Sequence, residues 1–410
     1  MRATEKSGYG ENLRNFGVDC CVFLLMFFSS AFQLSVYSGT VRMVFYLFLA
    51  VILLVLMFFS RTPIKINIWV ALAVALGMMT SIVNLESAKQ LVIFLSYYVV
   101  AILFCSYIPV EKFFHSFVRV LAFVSAVSLI LYVLDVVYPS MLSYLPTVQN
   151  EGGLSTESAI VALAPIDGRN YGMFWEPGAY QIFLCFALIL EMFYFKARHK
   201  LSFLLIMVAL ITTFSTMGYL VLAVLILVSF LSLGLDRGLR KSYVYALFSL
   251  VFAIVLAYFV ISYVSPQLYH TLFGKVEEYF LSPDETSSTG VRVSSVAMAL
   301  KVAIQNPLFG AGYEKLYTIF ENEYSHTMTT CTWANWLAIY GLAFGALMVV
   351  GLHRLCKKIS SKGAIAAMLV FVLLLSISSE DMARNPSWIV LIIYGFNRYS
   401  VYMKGGEDRE

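Results

Sequence analysis

Leu210-Ile211-Thr212-Thr213-Phe214-Ser215-Thr216-Met217 decides how this chain is folded. Apolar runs at 201–215 and 217–235 flank it and are nearly continuous. Read as one bent or re-entrant helix, the pair would invert the topology of everything that follows. Read as two membrane helices with a tight outer turn at the threonines and Ser215, it makes a hairpin. The placement of basic residues chooses the hairpin, because cytoplasmic loops carry the excess of Lys and Arg. Without the break, Arg237, Arg240 and Lys241 would fall on the outer side.

The question arises only because the chain is a membrane protein. Of its 410 residues, 60% are hydrophobic and 13% are charged; a soluble domain carries about a quarter charged residues. A spanning helix needs about 20 mostly apolar residues. Runs of that kind lie at about 17–36, 43–60, 66–83, 90–108, 117–138, 178–195, 201–215, 217–235, 243–264, 331–352, 364–379 and 387–402. With the N-terminus inside and twelve spans, twenty of the 28 basic residues face the cytoplasm. Arg42, Lys89, Arg169, Lys275, Arg292, Lys301, Lys315 and Arg384 stay outside. Both termini are then cytoplasmic. The expectation is an all-α polytopic fold, one integral membrane domain over 1–410, with two long outer loops at 139–175 and 265–330.

Met1 to Asn15 is polar and lacks a small-residue cleavage site, so the first apolar run reads as a retained anchor. The six cysteines lie in or beside apolar runs, as small packing residues. No internal repeat relates the two halves. In the second loop, Val293, Val296, Ala297, Leu300 and Ile304 recur at helical spacing. The spacing predicts an amphipathic helix over 291–304, on the outer membrane surface or capping a cavity. Asn306-Pro307 ends it, since the residue before proline avoids the helical region, and Gly310 and Gly312 follow in a turn.

Charge is scarce, so clustered polar groups at a membrane boundary mark the place to look for chemistry. Ile166 to Gln181 is the richest such stretch. It holds Arg169, Tyr171, Phe174, Trp175 and Glu176 before the Pro177-Gly178 turn. Arg292 opens the amphipathic helix, and His326 precedes the tenth run beside Trp333, Asn335, Trp336 and Tyr340. Each has a plain alternative. Loop arginines are often surface groups, boundary Trp and Tyr are ordinary interfacial anchors, and Glu176 suits a helix N-terminus. Asp135 and Glu191 lie inside spans but near their ends. There is no Walker loop, no Cys-Xaa-Xaa-Cys, no His-Glu-Xaa-Xaa-His and no Asp-Xaa-Asp at an outer boundary. Glu380-Asp381 is one acidic pair at a short outer turn, without a histidine near it. Nothing here requires a metal.

Taken in order, three places resemble the O-antigen polymerase (Wzy) and O-antigen ligase superfamily. They are Gly168-Arg169-Asn170-Tyr171-Gly172-Met173-Phe174-Trp175-Glu176-Pro177; Ser288-Thr289-Gly290-Val291-Arg292 with Asn306-Pro307-Leu308-Phe309-Gly310-Ala311-Gly312-Tyr313; and His326 with Trp336-Leu337-Ala338 and Gly341. The resemblance covers about 166–345. It implies a glycosyltransferase C-like helical fold in the bacterial inner membrane, a site facing the periplasm, and no cofactor, nucleotide sugar or metal. Its partners would be undecaprenyl-diphosphate-linked glycan donor and acceptor, membrane lipid and a chain-length regulator protein, with no nucleic acid. The ligase branch commonly has Asp-Pro-Asn where this chain has Glu176-Pro177-Gly178, which leans toward the polymerase.

The chemistry agrees with the resemblance. Leaving diphosphate develops negative charge, which a planar guanidinium pairs bidentately. Arg169 and Arg292 are the expected diphosphate-binding pair. A hydroxyl acceptor must lose a proton, to His326 first and Glu176 second. Tyr171, Trp175 and Tyr313 are the expected substrate-binding aromatics. A ligase is the alternative activity. A flippase for the same lipid-linked unit is the competing class, disfavoured by scarce mid-span charge. A scaffold protein would tolerate substitutions at all three of Arg169, Arg292 and His326.

Overall fold

The computed structural model describes residues 2–30, 39–149, 155–237, 288–324 and 330–397. The expected span at 243–264 and the loop residues 265–287 lie outside the described residues. The described chain is mostly helical. Its N-terminal part consists of α1 (Arg2–Ser30), α2 (Gly39–Ser60), α3 (Ile68–Val83), α4 (Ala88–Tyr107) and α5 (Val110–Val137). Then come α6 (Pro177–Ile189), α7 (Lys200–Thr212), α8 (Thr216–Arg237), α9 (Ser288–Gln305) and α10 (Tyr313–Tyr324). The C-terminal part is α11 (Thr332–Tyr340), α12 (Leu342–Ile359), α13 (Gly363–Ser376) and α14 (Pro386–Phe396). Among the described residues, four helical segments are long and apolar enough to cross a membrane: 43–60, 88–107, 110–137 and 177–194. Shorter apolar helices accompany them.

α6 is apolar all round, and such helices are buried. Every residue from Pro177 to Ile189 is buried, which puts α6 at the centre of the bundle. Its one polar side chain of length, Gln181, is satisfied there. Its Nε2 donates to the Ser376 carbonyl at 3.2 Å and to Ser379 Oγ at 2.9 Å. A π turn, Leu190–Tyr194, ends α6. In it Oε1 of the buried Glu191 meets His199 Nδ1 at 3.1 Å, while Oε2 has no partner among the described residues.

Long-range hydrogen bonds sort the connections onto two ends. At one end Asn67 Nδ2 donates to the Phe396 carbonyl at 2.8 Å, and Arg119 pairs with Asp19 at 2.8 Å. At the other, 84–90 binds 310, 313, 314 and 384, residue 317 binds 381, and 169–170 bind 212–214. This second end is termed the loop face below. The turn at Thr213–Ser215 separates α7 from α8 and lies on the loop face, bound to residues 169 and 170.

The loop 139–175 carries more structure than an all-α reading allows. Pro139–Tyr144 is a 3-10 turn. β1 (Thr147–Gln149) then pairs antiparallel with β2 (Ser155–Glu157), Val148 opposite Thr156. Beyond it, Ile166 and Arg169 exchange both backbone hydrogen bonds at 3.2 and 3.0 Å. Asp167 and Gly168 sit between them at φ 52° and 67°. That is the two-residue hairpin Asp-Gly favours, because both central residues need positive φ.

The single expected span at 331–352 is two helices, broken at Gly341. Gly341 has φ 87° and ψ 174°, a region open essentially only to glycine. The turn after α9 fills the break. Ala311 and Gly312 amides donate to the Ala338 and Ile339 carbonyls at 2.8 and 3.1 Å, and the Leu342 amide donates to the Pro307 carbonyl at 2.9 Å. Backbone meets backbone here, so Gly310 and Gly341 have no room for a β-carbon. Thr80 Oγ1 and Asn84 Nδ2 anchor the same turn through the Phe309 and Gly310 carbonyls at 2.9 and 3.3 Å.

α9 forms where expected and stops before Pro307, but it is rotated. The buried face is Ser295, Met298, Ala299, Val302 and Ala303. Val293 and Ile304 from the expected apolar face are 52% and 80% exposed. Small residues pack against protein because they let backbones approach, while larger apolar ones can face lipid. On α9 the small residues Ser295, Ala299 and Ala303 lie on the buried face with Met298 and Val302.

Candidate active site on the loop face

The first half of the site is built by the Asp167-Gly168 hairpin, which delivers Arg169 and Asn170 onto the end of α7. Arg169 Nε donates to the Thr213 carbonyl at 3.2 Å and its Nη2 to the Phe214 carbonyl at 3.3 Å. These carbonyls are left over at a helix C-terminus, where a cation suits the dipole. Asn170 is buried and fully used. Its amide nitrogen binds Thr212 Oγ1 at 3.0 Å and Ser128 Oγ at 3.1 Å, and its oxygen accepts from the Gly172 amide at 2.9 Å.

Tyr171 is buried with Leu163 and Ile166, against Val148 and Trp175. Burial pushes its phenol above the ordinary value; Arg169 opposes that shift, and Glu176 and Asp167 add to it. Arg169 and Glu176 thus act on one ring. Trp175 is half-buried on the same small core.

Glu176 is the N-cap residue of α6, and its carbonyl accepts from Ala179 and Tyr180, each at 3.1 Å. Its side chain makes no cap hydrogen bond. The carboxylate is therefore not consumed in capping, and Pro177 at the first helical position has no amide to satisfy. Gly178 follows under the buried Glu380, whose Oε1 occupies the place a β-carbon would take.

The second half is α10 and the turn before it. Reciprocal carboxylates dock it on the connection between α3 and α4. The Tyr313 amide, at the start of α10, donates to Glu86 Oε1, and Ser81 Oγ donates to Glu86 Oε2 at 2.7 Å. In return Glu314 accepts from the Ser87 amide at 3.0 Å and from Ser87 Oγ at 2.5 Å, at the N-terminus of α4. Each helix N-terminus is thus met by a carboxylate from the other element, the favourable sign for the dipole. Those hydrogen bonds hold the Glu314 carboxyl below its ordinary value.

The tyrosine ring of Tyr313 lies under the Arg384 guanidinium, 4.3 Å from the carbon to the ring centre. It also packs on Tyr317, centroids 4.5 Å apart. Arg292 lies in the second turn of α9; His326 lies outside the described residues.

The turn between α13 and α14 joins the two halves. Toward α6, Ser379 Oγ donates to the Gly178 carbonyl at 3.5 Å and Glu380 covers Gly178. Toward α11, Thr332 Oγ1 donates to the Glu380 carbonyl at 2.7 Å, and Trp333 Nε1 to Ser378 Oγ at 2.9 Å. Toward α10, the Tyr317 hydroxyl donates to Asp381 Oδ2 at 2.9 Å. Sequence reasoning passed over Glu380, Asp381 and Arg384 as one acidic pair and one outer cation. The available signal was the density of polar residues from Ser376 to Asn385 between two apolar runs.

Among the described residues, no three His, Cys, Asp or Glu side chains come together in a way that could hold a metal ion. What the loop face offers is an arginine and a carboxylate from one loop, aromatic and acidic side chains from the other, and a buried turn that binds both. Residues 201–333 match a family model, Wzy_C, described as O-Antigen ligase. That segment runs from α7 into α11; it includes Arg292, Tyr313 and His326 and leaves out Arg169, Glu176 and Arg384. No curated protein matches the chain.

Proposed function

We propose that this chain, whose residues 201–333 match the family model described as O-Antigen ligase, is a polymerase of the O-antigen polymerase and ligase superfamily. It joins undecaprenyl-diphosphate-linked repeat units on the periplasmic side of the inner membrane, which the loop face is taken to meet. One observation carries the reading: Gly178 at the exit of the first long loop and Tyr317 in the second are bound by a single turn, 377–385. Chemistry split between those loops then acts at one place.

In the proposed step the acceptor sugar's hydroxyl oxygen attacks the donor's anomeric carbon. The bond from that carbon to the diphosphate oxygen breaks, and undecaprenyl diphosphate leaves with the electron pair. Arg169 and Arg292 stabilise the charge on the phosphate oxygens. His326 takes the hydroxyl proton, an imidazole being suited to that at neutral pH; Glu176, unused by its helix, is the second base. Trp175 and Tyr171 border the Arg169 half, and Tyr313 the other. A chain-length regulator is the expected protein partner.

The description of the matched family favours the ligase as second reading. A deletion strain separates the two. One repeat unit on core oligosaccharide supports the polymerase; bare core with lipid-linked polymer supports the ligase; bare core without outward-facing precursor supports a flippase. On purified protein, His326→Ala is expected to lose turnover and keep donor binding. Normal polymer from His326→Ala, with loss confined to Glu176→Gln, moves the base role to Glu176.

A further inference from the structure

The second long loop is gripped at two points by one turn. On α10, Tyr313 and Tyr317 are four residues apart and so share a face. Arg384 covers the ring of Tyr313 at 4.3 Å, Tyr317 packs on Tyr313 at 4.5 Å, and the Tyr317 hydroxyl donates to Asp381 at 2.9 Å. Asp381 and Arg384 are three residues apart on the turn, so the contacts close a circuit. Arg384 is itself immobilised: Nη1 donates to Gln90 Oε1 at 2.7 Å and Nη2 to the Gln90 carbonyl at 2.9 Å.

We propose that Arg384 is a positioning residue, which sets α10 through its stack on Tyr313 and so holds this helix of the second long loop against the turn 377–385 for glycan transfer. The inference rests on the transfer activity proposed above. Tyr313, itself an expected substrate-binding residue, opens α10, so the stack bears on a helix of the second long loop that borders the proposed site. A phosphate-binding role for Arg384 fits less well. The carboxylates of Glu86 and Glu314 both act electrostatically on this guanidinium, and Asp381 shares its turn. An anion would enter an already anionic surround, whereas the arginine balances those charges. Planarity is what the contact needs, since guanidinium both forks to Gln90 and stacks on an aromatic face, and an ammonium does neither equally.

The test uses the full-length protein in lipid nanodiscs with lipid-linked repeat units. Arg384→Lys is expected to lower kcat about thirtyfold, the size of a desolvated cation–π contact, with donor KM within twofold and thermal stability near wild type. Tyr313→Leu should lower kcat at least as far, and Tyr313→Phe, which keeps the ring, should restore most of the rate. Because both residues act through one contact, the double variant Arg384→Lys/Tyr313→Leu should be no slower than the slower single one. A wild-type rate in Arg384→Lys overturns the proposal, as do multiplying effects in the double variant. A rise in donor KM at unchanged kcat overturns it too, by making Arg384 a donor-binding group. Equal losses of stability and rate would make it a structural strut only. If wild-type protein transfers no glycan, the functional reading itself fails, and this inference with it; transfer with an indifferent Arg384→Lys sinks the inference alone.

Discussion

Gly341→Ala tests the break between α11 and α12. Glycine is required there twice. The backbone, at φ 87° and ψ 174°, occupies the region essentially closed to other residues, which costs an alanine about 1–3 kcal/mol. A β-carbon would also meet the Leu308 carbonyl, with the Leu308 carbon at 2.6 Å and the Phe309 nitrogen at 2.9 Å. Those atoms are backbone and cannot rotate aside. To make room the turn after α9 must withdraw. That endangers the Leu342–Pro307 and Gly312–Ile339 hydrogen bonds, each worth roughly 1 kcal/mol net. The expected loss is about 3–5 kcal/mol on these figures. Gly168→Ala is the internal comparator. Its φ of 67° is also positive, but no atom lies within 4 Å of the new carbon, so it should lose only about 1–2 kcal/mol. Thermal unfolding of both variants in one detergent, followed by tryptophan fluorescence, ranks them. A Gly341→Ala protein as stable as Gly168→Ala would refute the backbone-on-backbone account.

Three further outcomes are expected. Arg169→Lys should lose most activity at unchanged protein level, because an ammonium cannot reach the Thr213 and Phe214 carbonyls and a diphosphate together; full activity would make the arginine a point charge or a surface group. The Glu314 carboxyl lies below its ordinary 4.5 in the folded protein; a depressed carboxyl contributes stability that is present above the ordinary value and is lost as pH falls through the lower folded one. Amide protection in 313–324, taken relative to the intrinsic exchange rate at each pH, should therefore be flat from neutral pH down to the ordinary carboxylate range and fall below it, and Glu314→Gln should abolish that dependence. Reporter fusions after Lys200 and after Lys358 should report cytoplasm, and a periplasmic signal at either overturns the twelve-span topology.

Much of this was legible in the residues. Hydrophobic runs located the helices, Asn306-Pro307 fixed the end of α9, and basic-residue placement favoured a turn at Thr213–Ser215, where α7 and α8 do separate. Three features were not legible, for physical reasons. The buried face of α9 differs from the expected one because small residues, Ser295, Ala299 and Ala303, let the helix approach its neighbours closely, while the larger Val293 and Ile304 are exposed. The break at Gly341 lay hidden in an unbroken apolar run; only the docking of the 307–312 turn makes a helix end there. The value of Arg384 and Asp381 depends on Gln90, Tyr313 and Tyr317, which are distant in sequence, and no local pattern joins them. The Asp167-Gly168 hairpin was legible and was passed over: the dipeptide is a turn signal in itself.

Glu380 over Gly178 constrains how this protein can be re-engineered. The long loops look like exchangeable cassettes, and donor or acceptor preference would be the trait to transplant between relatives. The step after Glu176-Pro177 does not travel alone, however. An asparagine in place of Gly178 would put its β-carbon where Glu380 Oε1 now sits. A chimera that swaps only 139–178 would force the buried Glu380 carboxylate to turn away from α6. A graft that carries the turn from Ser376 to Asn385 with it keeps the carboxylate and its neighbour together, as one cassette cut from two distant parts of the gene.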